Sequence, residues 1–244
     1  MPCTIGDNPK ATRIQAGDAA IFFNFRIDRP RQLTQMLKDS GISDLRLVTM
    51  TKYRDDFNLP IIFSDNPIVD TLGEVISKSN LKQLRAAESE KERFVTYYFN
   101  GLKEEPFAGE KRLIIPSPKI ATYDLEPQMS TPELIKSFSQ EWIADNYSFG
   151  VINIACPDMV AHTGKIEPTI AAIKAADQAI GELLDLCKNT SSDLLITGDH
   201  GNAEELLLAN QDVDTKHSNF PVPLILYTNE SKSFKLEKGV LGDI

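Results

Sequence analysis

Two short apolar runs separated by a long helical pattern constrain the fold of this chain more than any other feature. The runs are FGVINIA (149–155) and DLLIT (193–197), and a helical pattern occupies residues 167–188 between them. Neither run alternates regularly between apolar and polar residues, which is typical of strands that are covered on both faces. A strand, a helix and a second such strand predict an α/β fold, with a mostly parallel sheet covered by helices.

Other segments predict further elements of the same two kinds. Strands are predicted at 19–25, 45–50, 59–63, 112–118 and 221–227, and helices at 30–39, 71–78 and 130–145. Ser130 and Glu133 form a Ser-x-x-Glu capping box at the start of the last helix, where Pro132 is near the first helical position. The polar, proline-containing stretch SDNPIVD (64–70) indicates a linker. We therefore predict two domains, residues 1–65 and residues 66–244.

The composition excludes several classes of protein. The formal net charge of -9 argues against a general nucleic-acid-binding surface. The three cysteines include no Cys-x-x-Cys pair and cannot form a closed disulfide framework, which favours a reducing compartment. No apolar run approaches the length of a membrane span, and the amino terminus lacks the apolar core of a signal peptide. We therefore expect a cytoplasmic protein, with no nucleic-acid partner and no membrane partner.

An aspartate and a histidine four residues apart are the first indication of a metal site. Asp158 and His162 lie on one face of a helix, one turn apart, if the segment PDMVAHTG (157–164) is helical. Taken alone, such a pair is more often a surface helix pair than a pair of metal ligands. The metal interpretation is favoured because the chain's other two histidines also lie beside a carboxylate or in a turn-rich segment.

Those settings are loops that follow predicted strands or polar turns. Asp199 and His200 follow the run 193–197 and precede a glycine, although Asp-His-Gly is often only a turn. His217 lies after a polar loop and before the last predicted strand. Mixed carboxylate and imidazole ligands suit zinc, manganese or iron better than calcium or magnesium. Together, the three histidines and two aspartates indicate a transition-metal site.

Two further charged segments each allow a functional and a surface interpretation. Arg26, Arg29 and Arg31 follow the first predicted strand, with Asp28 between them. They form either a clamp for a phosphate or carboxylate group or a solvated basic loop, and the residues favour neither interpretation. Lys91 lies inside a charged run, and such a run is usually a solvated surface.

Longer motifs indicate a family. In chain order they are GDAAIFFNFRIDR, TLGEVISK, EKERFVTYYFNG, EEPFAGEKR, IPSPKIATYDLEPQMS, CPDMVAHTG, TGDHGNAE and HSNFPVP. Over nearly its whole length, the chain closely resembles the cofactor-independent (2,3-bisphosphoglycerate-independent) phosphoglycerate mutases of the alkaline phosphatase-like superfamily. The resemblance implies an alkaline phosphatase-like domain at 66–244, and it makes residues 1–65 the carboxyl-terminal part of a second α/β domain, the phosphotransferase domain.

The resemblance also implies roles for single residues. The metal ligands fall into two groups, Asp158, His162 and His217 for one manganese ion and Asp199 and His200 for a second. Arg26 and Arg29 are implied to bind phosphoglycerate. Lys91 is implied to contact the phosphoryl group, against the surface interpretation given above.

The implied reaction is the interconversion of 2-phosphoglycerate and 3-phosphoglycerate in glycolysis and gluconeogenesis, through a phosphoserine intermediate. The family's nucleophilic serine and one aspartate ligand have no counterpart here, and Phe94 stands where the family usually has histidine. We therefore expect a monomeric fragment that lacks the amino-terminal part and the extreme carboxyl terminus and is inactive as a mutase alone. The alternatives are another metal-dependent phosphatase, phosphodiesterase or phosphopentomutase of the superfamily, and a non-catalytic metal-binding fragment.

Overall fold

The computed structural model of the protein describes residues 13–27, 29–64, 68–208, 210, 212–230 and 235–244. The chain divides into two compact units, and the division falls between Pro67 and Ile68. No helix within the described residues is long and apolar enough to cross a membrane. The two units are described separately below.

The first unit is built on a strand, a helix and a second, parallel strand. Strand β1 (Ala19–Phe22) pairs with β2 (Arg46–Thr49), and helix α1 (Pro30–Lys38) connects them. Pro30 occupies the first turn of α1, where a missing backbone N–H costs no helical hydrogen bond. The prediction of a strand at 59–63 is wrong. Only one parallel bridge forms there, between Thr49 and Ile61, and the preceding Pro60 has no N–H to donate to a ladder.

The second unit contains a three-stranded parallel sheet. Strand β3 (Gln83–Glu88) lies in the middle, with β4 (Glu110–Ile115) on one side and β5 (Phe149–Asn153) on the other. Its helices are α2 (Leu72–Lys78), α3 (Glu92–Val95), α4 (Thr131–Ala144), α5 (Cys156–Ala161) and α6 (Ile166–Thr190). Helices α4 and α6 cover the sheet through one core cluster, in which Leu84, Leu134 and Leu183 are buried. This arrangement confirms the predicted α/β class.

The run at 193–197 joins a different sheet. It forms β6 (Leu194–Thr197), which pairs in antiparallel fashion with β7 (Leu224–Tyr227). The expectation that this run continues the parallel sheet of β5 is therefore wrong for the described residues. Leu194 nevertheless packs against the same core cluster as Ile152 of β5, which explains its apolar character.

The predicted capping box at the start of α4 is also wrong. The Ser130 side chain makes no capping hydrogen bond, and its hydroxyl donates to the carbonyl oxygen of Pro116 at 2.8 Å. A buried carboxyl group from β3 contacts the start of α4 instead. Glu88 accepts a hydrogen bond from the hydroxyl of Thr131, the first residue of the helix. The start of α4 is therefore bound by a partner distant in sequence and not by the predicted local cap.

Candidate metal centre

Helix α5 places the first two candidate ligands. It follows β5 directly and is anchored by Cys156 and Val160, which are fully buried against α6 in a second core cluster. Asp158 lies in the first turn, where the free N–H groups of a helix favour a carboxylate. His162 ends the helix one turn later, and its Nε2 lies 3.2 Å from Oδ1 of Asp158.

A distant loop brings the third candidate ligand to the same point. Nε2 of His217 lies 3.3 Å from Nε2 of His162 and 3.5 Å from Oδ1 of Asp158. Among the described residues, these three are the only group of at least three potential ligands whose donor atoms lie close together. The three atoms form a triangle with sides of 3.2, 3.3 and 3.5 Å.

The dimensions and the proton positions of this triangle fit a bound cation. Two ligands about 2.1 Å from one ion at a tetrahedral angle are about 3.4 Å from each other. Nδ1 of His162 lies 2.8 Å from the carbonyl oxygen of Thr215, which can only accept a hydrogen bond, so Nδ1 carries the proton. In the neutral ring, Nε2 of His162 then carries the lone pair and directs it at His217 and Asp158, as a metal ligand does.

Two donors fix the Asp158 carboxylate. Nζ of Lys91, which follows β3, lies 2.5 Å from Oδ2, and Nδ2 of Asn202 lies 2.6 Å from Oδ1. Burial acts to raise the pKa of Asp158, but the hydrogen bonds from Lys91 and Asn202 and the charge of Lys91 outweigh it. The pKa of Asp158 is consequently below its usual value, so the group is a carboxylate at neutral pH.

His200 and Asp199 lie at the edge of this cluster. The His200 ring stacks on the His217 ring, with centroids 3.7 Å apart, and Nε2 of His200 is 3.5 Å from a carboxylate oxygen of Asp199. Burial, followed by the proximity of His200, lowers the pKa of His217, although Asp158 acts in the opposite direction. A lowered pKa favours the neutral imidazole, which is the form that binds metals.

The remaining predicted site residues do not belong to the ligand triangle. Lys91 is 7% exposed, so the surface interpretation is wrong for this residue, although the glutamates on either side of it are exposed. Arg26 and Arg29 are exposed and belong to the first unit, next to the start of α1. Asn202 is not among the residues predicted from the sequence, although its position in the segment GDHGN, two residues after His200, is a usable signal.

Comparison with known proteins identifies the family. The family model described as the metalloenzyme superfamily matches residues 24–244. The chain belongs to this superfamily. It is 42% identical to the 2,3-bisphosphoglycerate-independent phosphoglycerate mutase of Syntrophotalea carbinolica, and the match covers 100% of the chain but 48% of that relative. The corresponding enzyme of Thermomicrobium roseum is also 42% identical, with 96% of the chain and 47% of the relative covered.

A solved structure agrees with the fold. The crystal structure of Leishmania mexicana phosphoglycerate mutase at low cobalt concentration matches with a TM-score of 0.80 and 24% identity. That match covers 88% of this chain and 43% of the solved chain. At this identity it supports the fold alone, which is that of the alkaline phosphatase-like enzymes. The chain spans less than half the length of the relatives that it matches.

Proposed function

We propose that this chain forms the metal-binding part of a 2,3-bisphosphoglycerate-independent phosphoglycerate mutase, a cytoplasmic enzyme that interconverts 2-phosphoglycerate and 3-phosphoglycerate in glycolysis and gluconeogenesis. The observation that carries the proposal is the triangle of Asp158, His162 and His217, within a chain that is 42% identical over its whole length to a relative of that name. Together, these support an isomerase that depends on a metal.

The proposed cofactor is manganese, with two ions in the complete enzyme. Asp158, His162 and His217 would hold one ion, and Asp199 and His200 would contribute to the second. When bound, these ions would neutralise charge on a phosphoryl group and activate a hydroxyl nucleophile. The mixed oxygen and nitrogen donor set supports a transition metal over magnesium or calcium.

Lys91 supplies the fixed positive charge of the proposed site. Its ammonium group is held by Asp158 on one side and lies 4.9 Å from the centre of the Phe94 ring on the other. A charge that is already in position when the substrate arrives needs no reorganisation, and it stabilises the negative charge of a transferring phosphoryl group. Phe94 is 43% exposed, so its ring adds an apolar wall beside the ammonium group.

The substrate-holding role is assigned to the first unit. We propose that residues 1–65 belong to a phosphotransferase domain, whose Arg26 and Arg29 hold the phosphate or carboxylate of the glycerate. Guanidinium groups suit this task because they bind such groups through two parallel hydrogen bonds. The nucleophilic serine of the proposed phosphoserine mechanism is not assigned to any residue of this chain.

A hybrid enzyme tests the proposal. This chain would replace the matching segment of the Syntrophotalea carbinolica relative, and the conversion of 3-phosphoglycerate to 2-phosphoglycerate would be measured with manganese added. We expect interconversion by the hybrid, its loss on His162→Ala, and no effect of Lys82→Ala, which changes an exposed ion pair with Asp145. A folded, manganese-binding hybrid that only hydrolyses phosphate monoesters would instead identify a phosphatase. We expect the 244-residue chain alone to catalyse no interconversion.

A further inference from the structure

Two polar residues outside the ligand triangle connect the segments that carry the ligands. We propose that Asn202 and Glu204 are positioning residues, which fix the spacing of Asp158, His162 and His217 without binding the ion themselves. The inference rests on the metal centre proposed above and adds to it the residues that determine its affinity. The segments concerned are α5, the loop 199–204 and the loop 215–218.

Asn202 orients the carboxylate ligand. Its Nδ2 donates to Oδ1 of Asp158 at 2.6 Å and to the Asp158 carbonyl oxygen at 3.5 Å. Lys91 holds the other carboxylate oxygen, so the Asp158 carboxylate cannot rotate freely. Oδ1 is also the atom that faces His162 and His217. Because a carboxylate oxygen has more than one lone pair, the hydrogen bond from Asn202 leaves one available for a cation.

The burial of Asn202 points to a role beyond packing. The residue is 3% exposed, and its Oδ1 has no hydrogen-bond partner within the described part of the chain. A buried amide oxygen without a partner is unfavourable, so an apolar residue of similar size would fill this position at a lower cost in free energy. What an apolar residue cannot replace is the pair of hydrogen bonds to Asp158.

Glu204 connects the two histidine loops. One of its carboxylate oxygens accepts from the Asn202 backbone N–H at 2.9 Å, and the other accepts from the Ser218 hydroxyl. Ser218, which directly follows His217, also donates its backbone N–H to the carbonyl oxygen of Gly201 at 2.9 Å. A Cβ at Gly201 would collide with both Glu204 and Ser218, so glycine permits this close approach.

The consequence of these contacts is a preset distance between the ligands. The hydrogen bonds of Asn202 and Glu204 join α5, which carries Asp158 and His162, to the loops that carry His200 and His217. Ligands held at the spacing that a cation requires bind it without rearrangement. Removing a residue of this kind typically lowers metal affinity about 10–100-fold.

Cobalt titration of the 244-residue chain tests the inference, because the visible spectrum of bound Co²⁺ reports both affinity and ligand geometry. The variants are Asn202→Ala, Glu204→Ala and Glu204→Gln, with Glu205→Ala and Asn210→Ala as matched controls. We expect affinity to fall about 10–100-fold for both positioning alanine variants, with an altered cobalt spectrum. Glu204→Gln should retain most of the affinity, because its amide oxygen accepts from Asn202 and its amide NH₂ donates to the Ser218 oxygen.

Three outcomes would overturn the inference. The first is an unchanged affinity and spectrum in Asn202→Ala and Glu204→Ala, with cobalt binding abolished by His162→Ala; in that case the metal centre stands. The second is a lower cobalt affinity with an unchanged cobalt spectrum, together with a loss of stability in the metal-free protein that matches the loss of binding free energy. This outcome would indicate a structural role. The third is no cobalt binding by the unmodified chain, or unchanged binding in His162→Ala; here the metal centre itself fails, together with the inference.

Discussion

Lys91 and Asp158 form an ion pair between the ends of two neighbouring parallel strands, although they are 67 residues apart in sequence. The pair arises from topology. Strands β3 and β5 run side by side in the same direction, so the loops that follow them meet at one edge of the sheet. Lys91 comes from the loop after β3, and Asp158 from the helix after β5. The same edge holds the proposed ion.

Lys91→Ala should destabilise the metal-free protein by about 1–3 kcal/mol at neutral pH, since it leaves a largely buried carboxylate without its countercharge. The Asp158 pKa is lowered in the folded state, so the stability it contributes is present above its unfolded pKa and is lost as pH falls through the folded value. The difference between the variant and the unmodified protein should therefore shrink in acid. Urea unfolding at several pH values measures it, with Lys82→Ala as the control.

Metal uptake should differ between alanine variants of the three ligands and the Lys91→Ala variant. Replacing Asp158, His162 or His217 by alanine removes one corner of the triangle, so we expect a large loss of bound manganese after equilibrium dialysis. Lys91→Ala removes a positive charge next to the site but no ligand, and should reduce uptake less or even increase it. Equal losses in Lys91→Ala and His217→Ala would contradict this assignment.

The sequence contains enough information for the local part of this site but not for its long-range part. The helical spacing of Asp158 and His162 predicts that they share a face, because the period of an α-helix is a local property. The burial of Lys91 and the contact of Asn202 with Asp158 depend on which strands and loops become neighbours. The segment GDHGN marks Asn202 as a candidate, but it does not specify which partner Asn202 contacts. The failed capping box of Ser130 has the same origin, since the Ser130 hydroxyl instead donates to the carbonyl oxygen of Pro116, in a segment that the local pattern does not include.

Glu88 provides a test of pH dependence away from the metal ligands. The residue is fully buried, and burial raises its pKa in the folded state despite hydrogen bonds from its neighbours. A raised folded pKa contributes stability that is present below the unfolded pKa and lost as pH rises. Glu88→Gln mimics the protonated form, so we expect little change in acid and a relative stabilisation that grows as pH increases from 4 to 8.

Thermal melts across that pH range measure the effect in Glu88→Gln and in the control variant Glu133→Gln. Glu133 is an exposed residue of α4. The control should show no such trend. A Glu88→Gln variant that loses stability progressively toward alkaline pH, relative to the unmodified protein, would show that the sign is wrong.

Two glycines in helices should respond in opposite directions to alanine. A Cβ at Gly73 would lie 2.8 Å from Nη2 of Arg85 and 3.0 Å from Oδ1 of Asn100, and both neighbours are fully buried. We expect Gly73→Ala to destabilise the protein by about 1–3 kcal/mol, because the packed arginine cannot move without strain. Gly181 lies inside α6, and no neighbouring atom in the described part of the chain is in reach of an added Cβ, so Gly181→Ala should stabilise by about 0.5–1 kcal/mol. Urea unfolding of both variants measures the difference.

Arg26 and Arg29 should affect the substrate but not the metal. Each proposed charge-assisted hydrogen bond contributes about 1.5–3 kcal/mol, so replacing either arginine by alanine in the hybrid enzyme should raise the KM for 3-phosphoglycerate about tenfold or more. Both residues belong to the unit that ends at Pro67, whereas the ligand triangle lies in the other unit. Manganese content should therefore stay unchanged.

The matched control is Arg46→Ala, which removes an exposed arginine of β2 in the same unit and should leave KM unaltered. A variant of Arg26 or Arg29 that loses manganese together with substrate affinity would show that the two units do not divide the work in this way.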